Sequence, residues 1–268
     1  ATKDRHRYKK LTIENKESNK WQASSKATKV NLKEAAMVII VQDREGDIYE
    51  QFATIPDAQT NLLIRAKSDR ALPEGGKLFS KLSKCKVAGT YEIKIDGDNR
   101  KGQKKRTAKL EVRFTEVTLK NSSRTAKTAA ATVKLWAVEA REVGGTSKQK
   151  VCWRLLTTIP VTTLSEALMI IEWYSWRWII EEVFRILKKE GFNIEASELE
   201  SGRSIKKLCL LMLDAIIKIF QMRNAWDEPE DAGLPAEICF TKAEMKCADM
   251  QCKKMERKKK KLKNPYKK

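Results

Sequence analysis

Two short apolar runs with a helical stretch between them limit the fold more than any other feature of this chain. Met37-Val38-Ile39-Ile40-Val41 is continuous and largely β-branched, which suits a strand buried on both faces. Asn61-Leu62-Leu63-Ile64-Arg65 repeats the pattern. Between them a polar turn, Gln42 to Asp47, leads into a helical segment ending near Ala53. Strand, helix and strand in so few residues form a βαβ unit with parallel strands. Polar side chains just past the carboxyl end of such a strand stand where α/β folds carry their chemistry. Asp43 and Arg44 are in that position.

After about Arg70 the texture changes. Tyr91 to Ile95 and Ala108 to Phe114 alternate apolar with polar residues; Thr132 to Val138 and Val151 to Leu156 are further strand candidates. Half-buried strands joined by Gly-, Lys- and Ser-rich links predict an antiparallel sheet inserted into the α/β unit. Upstream, Glu14 to Lys29 suits a helix anchored by Trp21. Downstream, Thr163-Leu164-Ser165-Glu166 is a capping box that opens a helix predicted to run to Lys189, with Gly191 as its cap. Ile205 to Met222 is apolar on most faces and reads as a buried helix. The remainder is weakly patterned, and Arg257 to Lys261 has the composition of a disordered segment. The domain reading is a first core part over 1–70, an insertion over 71–160, a second core part over 161–225 and a basic tail over 226–268.

The chain has 268 residues, with 55 Lys and Arg against 35 Asp and Glu, a formal charge of +20. That excess points to a polyanionic partner, usually nucleic acid. The basic residues concentrate in Arg100 to Lys109 and Lys253 to Lys268, so a soluble protein with a basic tail is the plainer alternative. No apolar run is long enough to span a membrane. The six cysteines include no Cys-x2-Cys pair, and His6 is the only histidine, which argues against structural zinc and suits reduced thiols.

The predicted helix after Thr163 carries the most specific pattern. Tyr174, Arg177, Glu181 and Lys188 stand at i, i+3, i+7 and i+14, within roughly 60° of one another on an uninterrupted helix. A carboxylate among phosphate-binding groups is what metal-assisted phosphodiester chemistry requires. Glu182 points about 100° away from Glu181 and is not part of the face. Plainer readings stand beside these. Asp43 suits an N-cap, Trp173 and Trp178 suit a core, and Arg177 and Lys188 suit a solvated helix face.

The spacing Tyr-x2-Arg-x3-Glu-x6-Lys and the turn Asp43-Arg44-Glu45-Gly46-Asp47 resemble the transposon-five kind of bacterial transposase, in the insertion-sequence-four family. The resemblance extends from Lys16-Glu17-Ser18 and Trp21 to near Arg223. It implies an α/β fold: a partial ribonuclease-H-like core with an inserted antiparallel β-sheet subdomain and C-terminal helices. It makes Asp43 and Glu181 metal ligands and catalytic carboxylates, with Mg2+ as the ion and Mn2+ as a substitute. Tyr174, Arg177 and Lys188 become phosphate contacts, Trp153 a base-stacking residue, and Arg65 and Lys67 contacts to the transposon end. Arg44 and Arg185 join the DNA-binding set. The implied activity is cut-and-paste transposition: end cleavage through a hairpin, then strand transfer. The implied partners are double-stranded DNA, both transposon ends and target, and a second copy in a homodimer; no membrane is involved, and the location is bacterial cytoplasm at the nucleoid. The family's first catalytic aspartate lies on an earlier strand, and Asp4 is the only aspartate before Asp43. Asp4 has no apolar strand around it, and the chain opens on Ala1. The expectation is therefore a fragment, with impaired cleavage or with DNA binding alone.

Overall fold

The computed structural model describes residues 15–95, 105–121, 130–144, 150–188, 192–227 and 235–258. These form two compact units divided after Arg177. Asp4, His6, Gly191 and most of the Arg100–Arg106 cluster and Arg257–Lys261 lie outside the described residues.

The first unit is built on one six-stranded sheet. β1 (Val38–Gln42) and β2 (Thr60–Arg65) are parallel, joined through a 3-10 turn at Arg44–Gly46 and helix α2 (Tyr49–Thr54). β2 then pairs antiparallel with β6 (Cys152–Thr157), and the sheet continues through β5 (Thr132–Glu142) and β4 (Arg106–Lys120) to β3 (Gly89–Ile95). The expected antiparallel insertion thus extends the same sheet as the βαβ unit. The chain is mixed α/β, with β1 and β3 at the two edges.

Each face of this sheet has its own core, as alternation dictates. On one side Val38, Ile40, Leu62, Ile64, Leu135 and Leu156 pack with Tyr49 and Phe52 of α2 and with Leu78 and Leu82 of α3 (Leu78–Lys84). On the other, Leu63, Leu110, Val112, Val138, Ala140 and Leu155 meet Ala167, Ile170, Ile171 and Tyr174 of α4 (Leu164–Ser175). β1 is less completely buried than its apolar run suggests. Val38, Ile40 and Gln42 are buried, whereas Ile39 and Val41 are half-buried, because a strand at the edge has a neighbour on one side only.

Helix α1 (Asn19–Asn31) docks through polar side chains rather than through Trp21, which is only half-buried. Ser25 is fully buried, donates to Gln51 Oε1 (2.8 Å) and accepts from Gln42 Nε2 (3.1 Å). Gln51 in turn donates to Gln42 Oε1 (2.6 Å) and to the Gly46 carbonyl (3.1 Å). This closed network joins α1, β1, the 3-10 turn and α2. Every donor in it finds an acceptor, which makes burial of three polar residues tolerable.

The capping box forms as expected: Thr163 Oγ1 accepts from Glu166 N–H, and Glu166 accepts from Thr163 N–H. The helix it opens does not run to Lys189. α4 ends at Ser175, a turn holds Trp176 and Arg177, and α5 (Trp178–Lys188) begins afresh in the second unit. Ser175 Oγ donates to the Glu172 carbonyl (2.6 Å), the group that also receives Trp176 N–H at 3.4 Å. Arg177 N–H turns back to the Tyr174 carbonyl. Local side-chain bonding of this kind competes with the helical ladder.

In the second unit Leu187 of α5 packs against Met212 and Ile216 of α6 (Gly202–Asp227). α6 is longer than predicted and is not buried all round, since Leu210, Leu211 and Ile217 are exposed. The weakly patterned tail contains a helix, α7 (Lys242–Lys258). Its start is capped by Thr241, and Glu244 also pairs with Lys218 of α6. All six cysteines are free thiols. No helix among the described residues is long and apolar enough to cross a membrane.

Two outcomes follow for stability. A Cβ at Gly46 would stand 2.3 Å from Gln42 Oε1 and 2.7 Å from Gln42 Cβ. Gly46→Ala therefore displaces Gln42 from the buried network and should lower unfolding free energy by about 1–3 kcal/mol in a denaturant titration. The second concerns acid. Glu142 is buried, and the Arg106 guanidinium holds its carboxyl below the ordinary value of 4.5, with help from the Val151 N–H (2.8 Å) and against the opposing push of burial. A depressed native pKa gives stability that is present above the unfolded value and disappears as pH falls through the native one. Stability should therefore decline below about pH 4.5. Arg106→Gln should flatten that decline in melting curves taken across the acid range.

Candidate nucleic-acid interface

Strand ends bring basic residues together around one cavity. Arg44 follows β1, Arg65 closes β2, Lys67 follows it, and Arg154 lies on β6. Together with Ala66, Phe79 and Cys152 they line an open cavity of about 140 Å3. The pairing of β2 with β6 makes this proximity, since Arg65 stands opposite Leu155 in the register. Arg65 also donates to the Cys152 carbonyl (3.0 Å), and Ala66 N–H to the Arg154 carbonyl (2.8 Å). Four cations around one concavity repel one another and draw in an anion.

Two acidic residues of the turn after β1 do structural work here. Asp43 Oδ1 accepts from Glu45 N–H (2.8 Å) and caps the 3-10 turn, the plainer role open to it. Its side chain is part-exposed, next to Arg44 in the chain. Asp47 is buried. Its Oδ1 pairs with Arg70, its Oδ2 accepts from Lys67 N–H (2.7 Å), and its carbonyl accepts from Arg70 (2.7 Å). Asp47 thus ties the turn after β1 to the loop after β2 and fixes the backbone of Lys67.

The other expected site residues divide by location. Trp153 points to the opposite side of β6 from Arg154, as alternation requires, and meets Tyr174 edge-on at 6.0 Å between ring centroids. Tyr174 is 2 % exposed, and its hydroxyl is buried without a hydrogen bond. The Arg177 guanidinium lies 5.9 Å from the Tyr174 ring. Glu181, Arg185 and Lys188 belong to α5. Glu181 is exposed, Arg185 pairs with Glu182 (2.6 Å), and Lys188 pairs with Glu195 (2.9 Å). Glu181 and Lys188 share a face of α5, separated by seven residues. The turn at Trp176–Arg177 means that one continuous helix does not carry Tyr174 and Arg177 onto that face.

Three contributors were not anticipated from the sequence: Arg154, Phe79 beneath its guanidinium at 4.1 Å, and Asp47 as the buried clasp. Arg154 is a lone charge among the apolar residues of its strand. Its meaning depends on a cross-strand register that sequence spacing does not supply.

Residues 16–217 match the transposase DDE domain. The chain belongs to that family. Transposase function follows, with DNA as the partner, and the family generally uses divalent metals. Asp43 and Glu181, the carboxylates expected to hold such an ion, belong to separate units. No group of three or more His, Cys, Asp or Glu side chains able to hold a metal occurs among the described residues.

Removing Arg70 would leave the Asp47 carboxylate buried beside a single backbone donor. Arg70→Ala should cost about 3 kcal/mol of stability, the penalty of an uncompensated buried charge. Chemical denaturation of the variant against the parent chain measures it.

Proposed function

We propose that this transposase-family chain acts on DNA as a cut-and-paste transposase of the transposon-five, insertion-sequence-four kind. One observation carries the reading. Arg44, immediately after Asp43, shares a cavity with Arg65, Lys67 and Arg154 at the carboxyl ends of the parallel strands β1 and β2 and beside β6. Phosphate contacts of this type set position and register on DNA. In this reading Asp43 and Glu181 would hold a divalent ion, Mg2+ in the first place, which would supply activation of water and charge neutralisation at phosphorus. The protein's own residues do the rest. Arg44, Arg65 and Lys67 grip the backbone of the transposon end, and Arg177, Arg185 and Lys188 supply further phosphate contacts. Trp153, in edge contact with the buried Tyr174, stacks with an unstacked base, and the Tyr174 hydroxyl is a further phosphate contact. The intact assembly is a homodimer located at the bacterial nucleoid, and the cleavage product passes through a hairpin before strand transfer.

The Asp43 cap favours a second reading. If capping is the whole role of Asp43, the chain occupies DNA without cutting it and acts as a non-catalytic or inhibitory form.

Duplex binding and plasmid nicking by the purified chain, with Mg2+ or Mn2+, separate the two. Both readings expect duplex affinity that falls steeply with salt. The enzyme reading expects metal-dependent nicking that vanishes in Asp43→Asn and Glu181→Gln while binding persists. Binding without nicking, indifferent to both substitutions, favours occupancy. A chain that binds no duplex at low salt would refute both.

A further inference from the structure

We infer that Glu139 is a positioning residue for DNA binding: from inside the sheet it holds Arg154 at the cavity, where Arg154 grips a backbone phosphodiester. This rests on DNA being the partner, as proposed above. Three strands place the groups in a row. Arg113 of β4 stands opposite Glu139 of β5, and Glu139 stands opposite Arg154 of β6. Glu139 is fully buried. Its Oε2 receives Arg154 Nε at 2.7 Å and Arg141 at 2.9 Å, and Arg113 approaches its Oε1 at 3.9 Å. Arg113 is held from the other side by Glu111 at 2.6 Å.

This row continues the face that carries Leu135 and Ala137, so an apolar core gives way to an ionic ladder along β5. Three guanidinium groups against two carboxylates leave one positive charge in excess. That excess meets the cavity at Arg154. Its Nε is bound by Glu139 and its plane lies 4.1 Å from the Phe79 ring. Its Nη nitrogens make no hydrogen bond among the described residues. A guanidinium fixed at one edge, with two donors free beside Arg44, Arg65 and Lys67, is organised to receive a tetrahedral oxyanion. Four cationic side chains around one concavity suit the sugar-phosphate backbone of DNA.

Position and bulk charge predict opposite signs. Glu139→Gln removes a negative charge near a DNA site, and electrostatics alone would tighten binding. Positioning predicts that it weakens. With a fluorescent mixed-sequence duplex, Arg154→Ala should weaken binding several-fold and reduce the slope of log affinity against log salt by about 1. Glu139→Gln should weaken binding in the parent chain and have little further effect in Arg154→Ala. Arg154→Lys keeps an ion pair for Glu139, so a loss of affinity in that variant, with its melting temperature retained, separates DNA contact from folding.

A second readout needs no variant. Cys152 is a free thiol in the cavity wall. Bound duplex should slow its alkylation, measured peptide by peptide by mass spectrometry, in the full native chain. Tighter binding by Glu139→Gln, an unchanged salt slope in Arg154→Ala, or undiminished alkylation of Cys152 with duplex bound would overturn the inference. Each of those results leaves the DNA-acting role intact, whereas that role fails only if the chain binds no duplex.

Discussion

Antiparallel pairing of β2 with β6 is the contact on which the rest of the first unit depends. It is short: Leu63 opposite Thr157, Ile64 opposite Leu156, Arg65 opposite Leu155. Yet it joins a parallel βαβ unit to a four-stranded antiparallel sheet, and the chain makes its whole excursion through β3, β4 and β5 between the two strands. Closing so long a loop costs entropy that three residue pairs alone do not repay. The compensation comes from burial on both faces. Leu62 and Ile64 enter the core beneath α2 and α3, while Leu63 and Leu155 enter the core beneath α4. A one-residue slip would exchange the two sets and move Arg154 away from the cavity, so the hydrophobic pattern holds the register that the basic cluster needs.

Local features were legible wherever local chemistry decides them. The runs at Met37–Val41 and Asn61–Arg65 became β1 and β2 within a residue or so at each end, because β-branched apolar runs have few other stable uses. The Thr163 box formed because both of its partners lie within one turn. Arg65 and Lys67, which the resemblance makes contacts to the transposon end, share a cavity with Arg44. What was not legible depended on distance in the sequence. Ser25, Gln42 and Gln51 look like surface residues and form a buried network, because each supplies what the others lack. The interruption after Ser175 was hidden by strong helical patterning on both sides, and a single hydroxyl-to-carbonyl bond accompanies it.

The acidic residues after β1 illustrate how one turn can serve two purposes. Asp47 is enclosed by Arg70 and the Lys67 amide and holds two loops together. Asp43, four residues earlier, stays part-exposed and uses one carboxylate oxygen for a cap. A buried, fully bonded carboxylate has little left to offer a ligand, whereas a part-exposed one on a rigid turn can accept another. The rigidity comes from Gly46, whose missing Cβ lets the turn lie directly on Gln42. Rigid presentation of a polar group at a strand end is what a functional site needs from its scaffold.

The inserted strands do more than lengthen the sheet. Along β5 the face shared with Leu135 and Ala137 changes at Glu139 from apolar to ionic, within one strand and without a bulge in the register. A buried carboxylate among three arginines is poor stabilisation compared with an apolar replacement of the same volume. Its value lies in direction: each guanidinium is planar, and binding one edge orients the other. The strand pairing that carries Glu139 inward therefore also aims Arg154 outward, at the cavity where Arg44, Arg65 and Lys67 converge. Sheet architecture and DNA affinity are linked through that one carboxylate, so a change deep in the sheet is felt at the surface where the backbone would lie.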